Sequence, residues 1–229
     1  MKMTDEAPLA RSPLHVWQEA HGARFGERHG WRLAESFAAQ RSDLLLVDVT
    51  PFAKLAFTGY EILDLSHTHF PDPQPGRVVA VSGAKPGWLC HQSDEQLLFL
   101  STRLEAEGFA SFRLPGQPEH KRITTWDMTS AYAGFLLIGS DVSDVARLLG
   151  GHLNLGSSPS ILSPGSCVET GFYGVPCLLA RAPDDRPVVG MWVAWDVAEY
   201  VWDRLLQIGA AHGLAAAGGD VLREFGWQA

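Results

Sequence analysis

The spacing of apolar and polar positions changes several times along the chain. In SPLHVWQEAHGARFGERHG (12–30), Leu14, Trp17, His21 and Phe25 recur at helical spacing. Ser12 can cap, Pro13 stands where a first-turn N–H is not needed, and Gly26 or Gly30 ends the pattern, so a helix is predicted. DLLLVDV (43–49), KLAFTG (54–59), RVVAVSG (77–83) and EQLLFLS (95–101) read as strands. STRLEAEG (101–108) then reads as a short helix and FASFRL (109–114) as an alternating strand. Farther on, RITTWDMT (122–129), GFLLIG (134–139) and VVGMWVAW (188–195) are expected strands. SCVETGFYGVPCLLARA (166–182) is expected as a hairpin-like pair around Gly171 and Gly174. Two helices are predicted in this part. In the first, Ser140 or Asp141 caps a face of Val142, Val145, Leu148 and Leu149. In the second, Asp196 and Glu199 make a capping box ahead of Val197, Val201, Leu205 and Ile208. Residues 1–11 are polar and expected to be loose.

The pattern occurs twice. DVTPFAKLAFTG (48–59) is echoed by DMTSAYAGFLLIG (127–139), and PGRVVAVSGAKPGWL (75–89) by PGSCVETGFYGVPCLL (164–179). Each half reads strand, strand, connector, strand, strand, helix, which predicts an α+β domain over 12–229 with pseudo-repeats at about 43–114 and 122–213. One asymmetry is expected. The second connector holds a helix, whereas HTHFPDPQPG (67–76) carries three prolines and is predicted to be an open, irregular loop.

Composition narrows the chemistry. The 229 residues are 46% hydrophobic, an ordinary globular proportion, and the net charge of −8 disfavours a phosphate backbone as partner. No apolar run approaches the roughly 18 residues of a membrane span, and the N-terminus lacks the apolar region of a secretory signal. Cys90, Cys167 and Cys177 have no CxxC spacing, which points to buried, reduced thiols and a cytoplasmic setting. His67 and His69 would share a face if extended, but no third metal ligand accompanies them, so no metal is assigned. Cys90 and His91 diverge if they are neighbours on a strand. Trp192, Trp195 and Trp202 gather around the last strand and helix, as core packing or as a stacking surface.

These landmarks, taken in order, resemble the folate-binding domain of aminomethyltransferases, the glycine cleavage T-protein and its relatives, over about residues 12–226. The opening SPLHVWQEAHGARFGERHGWRL, the strand pair LLLVDVTPFAKLAFTG, the unit ITTWDMTSAYAGFLLIGSDVSDVARLL, the hairpin ETGFYG and GGDVLREFG carry the likeness. It implies a T-protein folate-binding-type fold of two similar β/α halves, and tetrahydrofolate as cofactor. The resemblance covers the folate-binding domain alone, and no counterpart of the family's C-terminal domain is expected. Two departures stand out. Val175 occupies the place of the family's pterin-gripping glutamate, and PGWLCH (86–91) offers no carboxylate where the family has an acidic pair. Glu169, Tyr173, Arg223 and Trp88 are the candidate cofactor-binding residues in their stead, at a degenerate site. The second half, SPGSCVETGFYGVPCLLAR and YVWDRLL, is similar to the gamma subunit of heterotetrameric sarcosine oxidase. That likeness implies a non-catalytic or weakly catalytic subunit of a one-carbon or amine-oxidising system. Its expected partners are proteins of a hetero-oligomer and a folate or other heterocycle, with no nucleic acid and no membrane. The alternative is a stand-alone tetrahydrofolate-dependent aminomethyl- or methyltransferase.

Overall fold

The structure is a computed structural model and describes residues 8–38, 42–104, 112–117, 123–153 and 163–229. The chain opens with β1 (Ala10–Arg11), α1 (His15–Ala20), β2 (Arg24–Arg28) and β3 (Trp31–Ser36). The helix predicted over 12–30 therefore stops at Ala20. Gly22 turns the chain at φ 75°, and His29 and Gly30, both at positive φ, close a β2–β3 hairpin. Ala10 and Arg11, expected to be loose, pair with Trp31 and Arg32 of β3.

Next come β4 (Leu44–Asp48), β5 (Lys54–Thr58), α2 (Ile62–His69), β6 (Arg77–Val81), β7 (Gly87–Ser93) and β8 (Gln96–Ser101). The second half gives β9 (Thr124–Asp127), β10 (Tyr132–Gly139), α3 (Val142–Leu149), β11 (Cys167–Phe172), β12 (Val175–Arg181) and β13 (Val188–Ala194). Then follow a 3-10 turn (Trp195–Val197), α4 (Ala198–Gly209), β14 (Leu214–Ala217) and a 3-10 segment (Gly219–Phe225).

Several sequence expectations are corrected. The first connector is a helix: α2 buries Ile62, Leu65 and Ser66, and the prolines begin only after Phe70, its extended C-cap. The expected asymmetry is therefore absent, and each half runs strand, strand, helix, strand, strand, strand. His67 and His69 lie two apart on this helix, so they diverge, and His69 Nε2 meets the Pro115 carbonyl at 2.9 Å. The helix expected from Ser101 does not start there. Ser101 ends β8, and the next residues pair with the C-terminal segment through Leu104 N–H to Gln228 O and Gln228 N–H to Thr102 O, both 2.8 Å. Residues 105–111 lie outside the described residues, and Phe112–Leu114 form no strand. The Asp196–Glu199 capping box does not form, because a 3-10 turn shifts the α4 N-cap to Val197. In α3, Asp141 and Asp144 do make a capping box.

The strands build two main sheets, ordered β11-β12-β13-β10-β4-β14 and β6-β7-β8-β5-β9. Apart from β14, which extends the first sheet beside β4, the two orders correspond strand for strand, and each half lends its first strand to the other's sheet: β4 pairs with β10, and β9 with β5. The sheets pack face to face. Leu136, Ile138, Trp88, Leu178 and Trp192 fill the space between them, while α4 and α3 cover one outer face and α2 the other. Strict alternation puts Leu55 and Phe57 of β5 towards α2 and Lys54 and Ala56 towards the opposing sheet. Among the described residues, no helix is long and apolar enough to cross a membrane.

The repeated motifs are where the halves grip each other. Asp48 Oδ1 accepts from Thr50 N–H and Asp127 Oδ1 from Thr129 N–H, each at 2.9 Å. Thr50 Oγ1 then accepts from the Gly134 amide, and Thr129 Oγ1 from the Lys54 amide, each at 3.2 Å. The carbonyls answer: Val49 N–H donates to Gly134 O and Met128 N–H to Lys54 O, both 2.8 Å. Lys54 and Gly134 are thus equivalent positions. The repeated Pro-Gly does the same at the sheet edges, where Val78 N–H donates to Gly165 O and Cys167 N–H to Gly76 O.

Candidate ligand-binding site

A cavity of about 230 Å³ lies between the sheets. On one wall, cross-strand register sets Glu169, Leu178, Trp192 and Gly134 in a row across β11, β12, β13 and β10. On the other, Lys54, Leu100 and Trp88 form the equivalent row across β5, β8 and β7. Register therefore delivers Glu169 to the cavity, and its counterpart in the other row is Ala80, opposite Trp88. The Trp192 indole lies over glycines: a Cβ on Gly190 would come within 2.1 Å of its ring, and one on Gly134 within 2.7 Å of Nε1.

The charged and amide side chains of the lining sit at two places. At the mouth, Gln96 Nε2 donates to Gln92 Oε1 and Gln92 Nε2 donates to Glu169 Oε1, both at 2.8 Å. The relay leaves Glu169 Oε2 without a partner among the described residues. At the β5 end stands Lys54, only 2% exposed, whose Nζ donates to Thr50 O at 2.7 Å and Phe52 O at 2.9 Å. Burial pushes this amine down to about 7, against the opposing pull of Asp48 and Asp127. Cys177 also lines the cavity, and burial drives its thiol up to about 12, so it stays protonated. Ala56, Leu98, Leu100, Met128 and Pro176 give the cavity apolar walls, and Tyr132 and Thr170 complete the lining. A flat, apolar body with hydrogen-bond donors at one edge matches this arrangement.

Of the four residues singled out in the sequence, Glu169 lines the cavity and Trp88 stands behind its wall, edge-on to Trp192 at 6.4 Å and to Trp227 at 5.4 Å. Tyr173 and Arg223 are not brought to it. Tyr173 is at the β11–β12 turn with φ 48°, its hydroxyl 2.8 Å from His152 Nδ1 and its ring under Arg204. Arg223 is exposed on the C-terminal 3-10 segment, near Arg28 and Ala229. The three tryptophans are not one cluster either: Trp192 faces the other sheet, while Trp202 packs on Phe135 across the helix-covered face, at 5.4 Å. Sequence reading missed Lys54, Gln92 and Gln96. The signal for Lys54 was a lone cation in an apolar strand.

Cys90 and His91 face opposite sides of β7, the thiol inward and the imidazole against Phe70 at 5.3 Å. All three cysteines are buried and unbridged. Among the described residues no group of three or more histidine, cysteine or acidic side chains gathers as a metal site.

No protein-family model matches the sequence, and no curated protein matches it. Solved structures do. Glycine cleavage system aminomethyltransferase T from Bartonella henselae superposes with a TM-score of 0.70 at 14% identity, over 93% of this chain and 61% of that one. The chain thus spans less than two thirds of that protein. A chain of heterotetrameric sarcosine oxidase from Corynebacterium sp. U-96, solved in complex with pyrrole 2-carboxylate, superposes with a TM-score of 0.61 at 16% identity, over 90% of this chain and 97% of that one. The α+β architecture, with its two interlocked halves, is the fold that this chain shares with aminomethyltransferase T and with that sarcosine oxidase chain.

Proposed function

We propose that this protein is a T-protein-like subunit, non-catalytic or weakly catalytic, of a one-carbon or amine-oxidising assembly, with the cavity between its sheets kept as a pocket for a flat heterocycle such as the pteridine of tetrahydrofolate. One observation carries the reading. Among the described residues, Glu169 is the one carboxylate lining the cavity, and half of it is already engaged by Gln92. Its other oxygen can accept from an N–H edge, while Trp192 and the leucines supply a flat apolar wall. A carboxylate so placed orients a ligand; no second one stands with it to share acid and base roles. Trp88 backs the Trp192 wall in this reading. Tyr173 and Arg204, with the exposed Tyr200 beside them, have the aromatic and arginine composition of a protein contact surface.

Glu169 also supports the second reading, a stand-alone tetrahydrofolate-dependent aminomethyl- or methyltransferase, in which it replaces the lost acidic anchors. Titration of tetrahydrofolate followed by tryptophan fluorescence tests the pocket. Saturable quenching at sub-millimolar ligand is expected, weakened about tenfold or more in Glu169→Gln by loss of a charge-assisted hydrogen bond. No saturable signal would rule out the pteridine. Purification from the native cell decides between the readings. A hetero-oligomer without activity of the isolated chain supports the subunit, and a solitary monomer that turns over a one-carbon donor supports the transferase.

A further inference from the structure

We infer that Lys54 Nζ is a nucleophilic amine that captures a small aldehyde in the inter-sheet cavity as a reversible imine. Hydrogen-bond geometry is the first support. Nζ has two acceptors, Thr50 O and Phe52 O, and among the described residues neither a third acceptor nor a carboxylate within ion-pair reach. A neutral amine has two N–H donors and one lone pair, so it satisfies this site completely; an ammonium would bury one donor unpaired. The second support is the comparison of the halves. The equivalent position is Gly134, where the same Asp-x-Thr turn forms with no amine to hold it. The architecture therefore does not require a lysine here. The third is the setting: Lys54 lines a cavity whose apolar walls include Leu98, Leu100, Leu178 and Trp192, room for an aldehyde with a flat or apolar body. Burial lowers the amine to about 7 against Asp48 and Asp127, so a large share carries its lone pair at neutral pH, whereas the cavity's thiol, Cys177, is held protonated.

The step balances without an oxidant. The nitrogen lone pair forms the C–N bond, the carbonyl π pair takes a proton to give the carbinolamine, and loss of hydroxide with the remaining N–H proton releases one water and leaves the imine. The inference shares the cavity with the pteridine reading but does not rest on it.

The test is reductive trapping of the full chain with benzaldehyde and cyanoborohydride at pH 7, without folate, followed by peptide mass mapping. The chain has four lysines, Lys2, Lys54, Lys85 and Lys121, so assignment is direct. The expected result is benzylation of Lys54 about tenfold or more faster than of Lys85, with a rate that levels off above about pH 7, because an ordinary lysine is almost wholly protonated there. Lys54→Met should lose that labelled peptide only. If the variant does not fold, the pH profile of trapping in the unaltered chain decides. Modification confined to the other lysines, or a Lys54 rate that keeps climbing to the ordinary lysine range, would overturn the inference. A null result here leaves tetrahydrofolate quenching untouched, and absent quenching leaves the trapping result standing.

Discussion

Lys54 is the residue at which the two halves differ most in chemistry. Its amine is held below its ordinary 10.5, so between about pH 7 and 10.5 the unfolded chain holds a proton that the fold has released. Stability therefore rises with pH through that window, by up to about 1.4 kcal/mol per unit, and flattens on either side. Urea melts at pH 7 and pH 9 should show this climb in the unaltered protein and lose most of it in Lys54→Met, which should be the more stable of the two at pH 7. An equal slope in both would mean that Lys54 is charged inside the fold. Its counterpart Gly134 has the opposite constraint, because Trp192 covers the space where a side chain would begin. Glu169 depends on register rather than on local sequence. A slip of one residue in β11 would turn it to the outer face and remove the cavity's carboxylate.

Among the elements, the repeated Pro-Gly and Asp-x-Thr segments are structural clasps. Gly76 and Gly165 both have positive φ, and each lies against backbone of the other half. A Cβ on Gly165 would sit 2.8 Å from Val78 O, and one on Gly76 3.3 Å from Cys167 O. Gly165→Ala should therefore destabilise by about 2–4 kcal/mol and Gly76→Ala by roughly 1–2, since only the first adds a hard backbone clash to the strain of a left-handed residue. Chemical denaturation of the two variants checks the order. The elements with long, regular patterns were legible: β4, β10, β13, α3 and α4 follow directly from periodicity. Others were not. The helical spacing in 12–30 ran past Gly22 into a hairpin because a few apolar residues fit both periods, and only the left-handed His29–Gly30 turn decides between them. α2 was obscured by the prolines that follow it, which lie just beyond its last turn and so never break it.

For the whole molecule, the exchange of β4 and β9 makes each sheet incomplete without the other half. Expressed separately, 1–117 and 118–229 should show little fixed tertiary structure by near-ultraviolet circular dichroism, while the two fragments together should recover the native spectrum. A native-like spectrum from either piece alone would show that the exchanged strands contribute little.

The sequence by itself determined the repeat, the order of most elements, the apolar faces and the resemblance that points to the fold, because these are set by local spacing and by residues such as Gly, Pro and Asp with strong backbone preferences. The tertiary structure decided which candidate residues share a site. Glu169 shares one cavity with Gln92, Gln96 and Lys54 only because two sheets face each other in one register, while Tyr173, close to Glu169 in sequence, is carried by the turn to the surface. Likewise, a lone cation at the start of an apolar strand becomes a buried amine through packing contributed by both halves, a property that no stretch of either half encodes alone.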